Sequence, residues 1–213
     1  MTFNKINENI YDCTICPTRC DGKTVAQFDF EKDVQFSENI ENKIIDYVNQ
    51  KYPSLVASKT VRAGYPDIEI AKKNDPETSV AFVEIKGQAR TFMSVAKILK
   101  DSNLQPSETI ALNLSDLERY FEVNKKENIP FFVLWCVMRR PCIVGRREED
   151  RKYFYQEISI LQKIREKDGK NTRRFRRESG KGDIVNGVHK GVTVNYHFSL
   201  NELERNFPDL SVL

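Results

Sequence analysis

The chain has 213 residues, with 34 Lys and Arg, 31 Asp and Glu and a formal net charge of +3, a length that suits one α/β domain with a sizeable core. No apolar run approaches the ~20 residues a membrane-spanning helix needs, and MTFNKINENIYD lacks the apolar segment of an export signal, so a membrane protein is excluded and a cytoplasmic one expected. Five cysteines, an odd number without an export signal, argue against a disulfide framework.

Residues 1–36 read as an irregular segment, with Cys13, Cys16 and Cys20 clustered in DCTICPTRCDGK. From Ser37 the pattern FSENIENKIIDYVNQKY is helical, because Ile40, Ile44, Ile45 and Val48 recur on one side. Glu41 lies on that apolar side and Glu38 at its edge. After Pro53, SLVASKTVRA and GYPDIEIA read as strands. A long polar turn, KKNDPETS, then returns the chain antiparallel into VAFVEIK. RTFMSVAKILKDS is expected to be a helix with Phe92, Val95, Ala96 and Leu99 on one side, and TIALN a short strand. SDLERYFEVNKK is a helix opened by a capping box of Ser115 and Glu118. FFVLWCVM is a strand buried on both faces, with Trp135 and Cys136 in the core. This succession implies a layered α/β core.

Beyond Arg139 the composition changes: residues 139–181 hold 15 Lys and Arg against 7 Asp and Glu. A polyanionic partner and a solvated charged loop both fit such an excess. KYFYQEISILQKIREK reads as one helix, and DGKNTRRFRRESGKGD is too polar to assign. Within it Arg173, Arg174, Arg176 and Arg177 flank Phe175, a run suited to tracking phosphates while the ring stacks on a base, or to a mobile loop. DIVNGVHKGVTVNYHF is expected to be a terminal hairpin with His189 and His197 as ordinary strand residues. Ser199 and Glu202 form a second capping box before a last short helix.

The chemistry is concentrated in VAFVEIKGQ, residues 80–88. On an extended strand Glu84, Lys86 and Gln88 share one face while Val83 and Ile85 take the other. Asp67, seventeen residues earlier and next to Pro66, comes beside Glu84 by hairpin pairing. Two converging carboxylates make a site for a hard divalent cation, naturally Mg²⁺ (or Mn²⁺) with retained waters. A lysine beside them can orient and help deprotonate an attacking water, and can stabilise charge growing on phosphorus.

Pro66-Asp67 followed by Glu84-Ile85-Lys86 resembles the motif of the PD-(D/E)xK nuclease superfamily. The resemblance implies a restriction-endonuclease-like three-layer α/β core, a central mixed sheet flanked by helices, over residues 37–138; residues 139–213, to which it does not extend, are read as a basic extension packed on the same domain. It further implies that Asp67 and Glu84 hold the Mg²⁺, that the Ile85 carbonyl adds a ligand and that Lys86 positions the nucleophile. Glu41 is then the glutamate supplied by the preceding helix, and Gln88 contacts metal-bound water or phosphate. Glu69 is read as a solvated neighbour within reach of the metal. The expected activity is hydrolysis of DNA phosphodiester bonds, with a homodimer required where both strands are cut together. Two alternatives stay open: a non-cleaving nucleic-acid-binding or recruitment module of the same fold, and an RNA-directed nuclease.

Cys13, Cys16 and Cys20, with Cys142 as the best fourth ligand, have the composition of a structural Zn²⁺ site. The same thiolates would serve an iron–sulfur cluster, and unliganded thiols are the third reading.

Overall fold

The computed structural model describes residues 5–14, 30–89, 91–147, 149–176, 184–185, 188–189 and 194–213. In chain order a small hairpin, Lys5–Asn7 (β1) and Ile10–Tyr11 (β2), precedes the long helix Phe30–Lys51 (α1). Leu55–Lys59 (β3), Ile68–Lys72 (β4) and Asp75–Gln88 (β5) then form an antiparallel meander. One helical turn, Val95–Ile98 (α2), and a 3₁₀ turn lead to Thr109–Asn113 (β6), Leu114–Glu127 (α3) and Phe131–Met138 (β7). Arg151–Glu157 (β8), Ile158–Asp168 (α4) and Arg174–Arg176 (β9) follow. The chain ends with the hairpin Ile184–Val185 (β10) and Val188–His189 (β11), then Val194–Ser199 (β12), a 3₁₀ turn and Glu204–Arg205 (β13).

Six strands form the central mixed sheet, in the order β13-β8-β7-β5-β4-β3, and β6-β12-β9 form a second, antiparallel sheet. The pairing of β5 with β7 is parallel, and the other four strand pairs of the central sheet are antiparallel. Every residue of β7 is buried, because both faces of the sheet are covered there. On one face Ile40, Ile44 and Val48 of α1 pack with Val83, Ile85, Leu134 and Cys136. On the other, Leu117 and Tyr120 of α3, Leu161 of α4 and Tyr196 and Phe198 of β12 pack with Phe82, Val133 and Trp135. The result is the expected layered α/β architecture with a central mixed sheet.

Several local expectations are corrected. The segment before Ser37 contains β1, β2 and the first turns of α1, which begins at Phe30. The turn between β4 and β5 is tight: Lys72 faces Asp75 directly, so the polar run DPETS continues as exposed strand. RTFMSVAKILKDS keeps only one turn of α-helix. KYFYQEISILQKIREK divides at Glu157 into strand and helix, because its Tyr/Phe-rich first half finds the open edge of β7. Ser115 and Glu118 form no capping box: α3 starts at Leu114 behind Asn113, and the Glu118 carboxylate accepts from Arg165 at 2.7 Å. Ser199 and Glu202 do form one. β12 pairs with β6 and β9 rather than closing a terminal hairpin.

Buried polar groups fasten the second sheet to the first. Arg140, 1% exposed at the end of β7, donates to the carbonyls of Ser107 (2.8 Å) and Thr109 (3.1 Å) at the start of β6. The buried Glu108 carboxylate accepts from the Gln105 amide and Asn201 side chain, each at 3.1 Å, and from the Ser199 hydroxyl. Replacing Arg140 with Met removes the charge but strands these carbonyls without donors. Arg140→Met is therefore expected to cost about 2–4 kcal/mol, read from urea unfolding midpoints; a loss below about 0.5 kcal/mol would show the fastening to be unimportant.

Candidate functional site

Asp67 enters the sheet one residue before the Ile68–Val83 pair, which sets it opposite Glu84. The loop before it is held at several points. Thr60 N–H donates to the Asp67 carbonyl at 2.9 Å. Tyr65 sets its ring edge-on to Phe82 at 5.8 Å and pairs its hydroxyl with Glu127 at the end of α3. The Arg62 guanidinium lies 4.0 Å from the centre of that same ring. Gly64 turns the loop at φ +81°, a left-handed conformation that glycine adopts without strain.

The two carboxylates are linked through the backbone between them. Asp67 N–H donates to Glu84 Oε2 at 3.3 Å, and Ile85 N–H donates to Asp67 Oδ2 at 2.8 Å. Glu84 is only 2% exposed, and Lys86 Nζ lies 2.5 Å from its Oε1. Gln88 is also buried, farther along the same strand. These residues continue the face of Phe82, which is packed against α3. The strand face is thus apolar up to Phe82 and ionic beyond it.

Electrostatics reflect this crowding. Burial first, and then the Glu84 charge, push the Asp67 carboxyl up to about 7, against the Ile85 N–H bond and the Lys86 charge. For Lys86, burial disfavours the ammonium, but the charge and hydrogen bond of Glu84, with Asp116 and Asp67, outweigh it and raise its pKa. Lys86 is therefore an ammonium at neutral pH. In this pairing with Glu84 it stands as a positive charge beside the carboxylates.

Three residues of α3 complete the surroundings, and none was singled out from the sequence. Asp116 lies 3.9 Å from Lys86 Nζ and 2.9 Å from Arg119 Nη2. Tyr120 is hydrogen-bonded to Glu84 and accepts from Arg119 at 3.4 Å; burial, then the Glu84 charge, raise its pKa, so the hydroxyl stays protonated. Asp116 and Tyr120 are one helical turn apart, a spacing that puts them on one face. SDLERYF contained that signal, but only the docking of α3 over Phe82 gives it a target.

Glu41 does not join the carboxylate pair. α1 covers the face of Val83 and Ile85, opposite to Glu84, and Glu41 instead pairs with Lys59 at 3.1 Å. Its charge still contributes to raising the Asp67 pKa. Glu69 accepts from Arg62 and from the Ser79 hydroxyl, both at 3.2 Å. Among the described residues, no group of three or more His, Cys, Asp or Glu side chains is gathered as a metal centre. Of the cysteine set, Cys13 and Cys142 are half-buried, while Cys16 and Cys20 lie outside the described residues. Cys136 is core.

Part of the basic segment is structural: among its described residues Arg140, Arg165 and Arg173 are buried, while most of its other Lys and Arg are exposed. Arg165 pairs with Glu118, and the buried Arg173 pairs with Asp168 and, at 2.7 Å, Glu202. Arg173 is thereby withdrawn from the proposed phosphate track. Arg174 is exposed, and Arg177 lies outside the described residues. His197 lies within β12 and is buried, its Nδ1 donating to the Arg173 carbonyl at 3.1 Å.

No family model matches the chain, and no curated protein matches it. Among solved structures it is similar to the Holliday junction resolvase Hjc of the archaeal hyperthermophile Archaeoglobus fulgidus, at 9% identity and a TM-score of 0.39, over 78% of this chain and 86% of that one. No helix is long and apolar enough to cross a membrane among the described residues.

The raised Asp67 pKa makes a stability prediction. The ordinary value is 3.8 and the folded value about 7, so the folded state binds the proton more tightly and stability falls as pH rises between them. Above about 7 the penalty is complete. In metal-free buffer Asp67→Asn is expected to abolish this decline and to be on the order of 1–3 kcal/mol more stable than the parent at pH 8. Urea titrations from pH 4 to pH 8 read it; equal stability at pH 8 would mean that burial and the Glu84 charge do not hold the Asp67 carboxyl up.

Proposed function

We propose that this chain is a divalent-cation-dependent nuclease that hydrolyses DNA phosphodiester bonds. The observation that carries the reading is the apposition of Asp67 and Glu84 across adjacent strands, with the Lys86 ammonium 2.5 Å from Glu84. Side chains of this kind suit a hard cation. The Asp67 carboxyl is held near neutrality by burial and by its neighbour, a repulsion that a divalent ion between two hard oxygen donors relieves.

Asp67 and Glu84 would hold Mg²⁺ or Mn²⁺, with the Ile85 carbonyl as a further donor and water completing the shell. When bound, such an ion supplies Lewis acidity towards the phosphate and lowers the pKa of coordinated water. The chain's own residues do the remaining work. Lys86, kept cationic by Glu84 and Asp116, offsets negative charge that develops on a phosphoryl oxygen. Tyr120 fixes the orientation of Glu84 from the α3 side. Arg119, 44% exposed and anchored by Asp116, offers a second cation to the substrate backbone. Gln88 lies on the same strand face, placed to meet a phosphate or a water. DNA rather than RNA follows the motif's resemblance, since the scissile phosphate is the same group in both.

A second reading, a binding or recruitment module that does not cut, draws on the Lys86–Glu84 pair, in which the lysine itself neutralises one carboxylate. The same experiment separates the two. Lys86→Ala is expected to lower Mg²⁺- or Mn²⁺-dependent cleavage by at least about 100-fold while changing DNA affinity by no more than about threefold, near one phosphate contact. Cleavage that survives Lys86→Ala removes the lysine from the mechanism. Steeply salt-dependent binding by the parent protein, with no cleavage of linear, branched or single-stranded DNA in either ion, selects the module.

A further inference from the structure

Just beyond the end of β5 the chain walls a cavity that the hydrolytic site does not use. Its volume is about 310 Å³, and its lining includes Thr91, Phe92, Ile98, Phe175 and His197. The walls are mostly aromatic and aliphatic. Phe92 stands edge-on to His197 with ring centres 4.8 Å apart, and Phe175 comes from β9 of the second sheet. Val95 and Leu99, also in the lining, form a small buried cluster with Leu104.

Two polar residues, Thr91 and His197, also belong to its lining. Thr91 is 6% exposed, and its Oγ1 is buried without a hydrogen-bond partner among the described residues. A buried hydroxyl in that condition is costly unless something else satisfies it. Because Nδ1 of His197 faces a carbonyl, which can only accept, Nδ1 must carry the proton. The neutral ring therefore offers Nε2 as an acceptor. Lys97 and Lys100 are exposed on the segment that lines the cavity, and Arg174 is exposed beside Phe175, so its surroundings are basic.

Thr91 follows Lys86 by five residues. Even fully extended, that chain spans no more than ~17 Å, a separation of a few nucleotides along one strand.

We infer that this cavity, walled by Phe92, Phe175 and His197 and containing the unpartnered Thr91 hydroxyl, takes up one unstacked nucleobase of the nucleic acid bound at the Asp67–Glu84–Lys86 site. The inference deepens the nuclease reading and rests on it for the position of the substrate strand. An aromatic wall stacks on any base, while the Thr91 hydroxyl and His197 Nε2 can address hydrogen-bonding atoms at its edge. A base in a duplex cannot reach such a cavity without leaving its stack, so the site favours DNA with an unpaired or weakly paired nucleotide.

The test measures binding without cleavage, by fluorescence anisotropy in EDTA. Two otherwise identical labelled oligonucleotide duplexes are compared, one with a single unpaired adenine and the other with an abasic residue at that position. The parent protein is expected to bind the adenine duplex at least about fivefold more tightly. Phe92→Ala, at a half-buried position, is expected to abolish the difference. Thr91→Val, which removes only the hydroxyl, is expected to reduce it while leaving the fold as stable as the parent or more so. Equal affinity of the parent protein for both duplexes overturns the inference, as does a preference that survives Phe92→Ala. Cleavage assays in Mg²⁺ and Mn²⁺ on the same duplexes keep the two readings apart. Base preference without cutting leaves the cavity assignment standing and defeats the nuclease reading; cutting without base preference does the reverse.

Discussion

Two acidic side chains meeting on neighbouring strands, one buried and one half-buried, determine what the surrounding structure must do. Asp67 and Glu84 repel, and the protein answers with the ammonium of Lys86, the Ile85 amide and the Tyr120 hydroxyl. The compensation is partial, since Asp67 still holds its proton up to about 7. Stability alone would favour apolar residues at such positions. The pair lies in a sheet whose central strands are otherwise mostly apolar.

The helix α3 connects the chemistry to the fold. Its buried side, Leu117 and Tyr120, belongs to the same core as Phe82 and Trp135, while Asp116 and Arg119 turn towards Lys86. One docking event thus closes the apolar core and completes the ionic surroundings of Glu84. The second sheet stands behind this arrangement, tied to the first through Arg140 and to its own turn through Glu108. It also takes up part of the basic excess in the C-terminal third. Arg140, Arg165 and Arg173 hold segments of the chain to one another, so net charge along the sequence overstated the charge available to a polyanion.

The strands and the longer helices were readable because each must bury a patterned face. Ile40, Ile44 and Val48 mark α1, and the unbroken apolarity of Phe131–Met138 marks the central strand. Short segments were misread where tertiary partners override local preference. RTFMSVAKILKDS has helical periodicity but also lines a cavity, and only one turn remains helical. KYFYQE continues into a helix in sequence but is captured by the free edge of β7. Ser115 and Glu118 have capping-box spacing, yet Arg165 claims the glutamate.

The alternation of side chains along an extended strand sufficed to put Glu84, Lys86 and Gln88 on one face, and hairpin pairing sufficed to bring Asp67 to them. Those relations depend on the chain's own period of two and on a nearby turn, both of which are local. Which helix covers that face is not local. The packing of α1 on the opposite side leaves Glu41 paired with Lys59, and the packing of α3 supplies Asp116, Arg119 and Tyr120. Such contacts are selected by the free energy of burying whole faces against one another, a sum over distant residues that no short stretch of sequence contains.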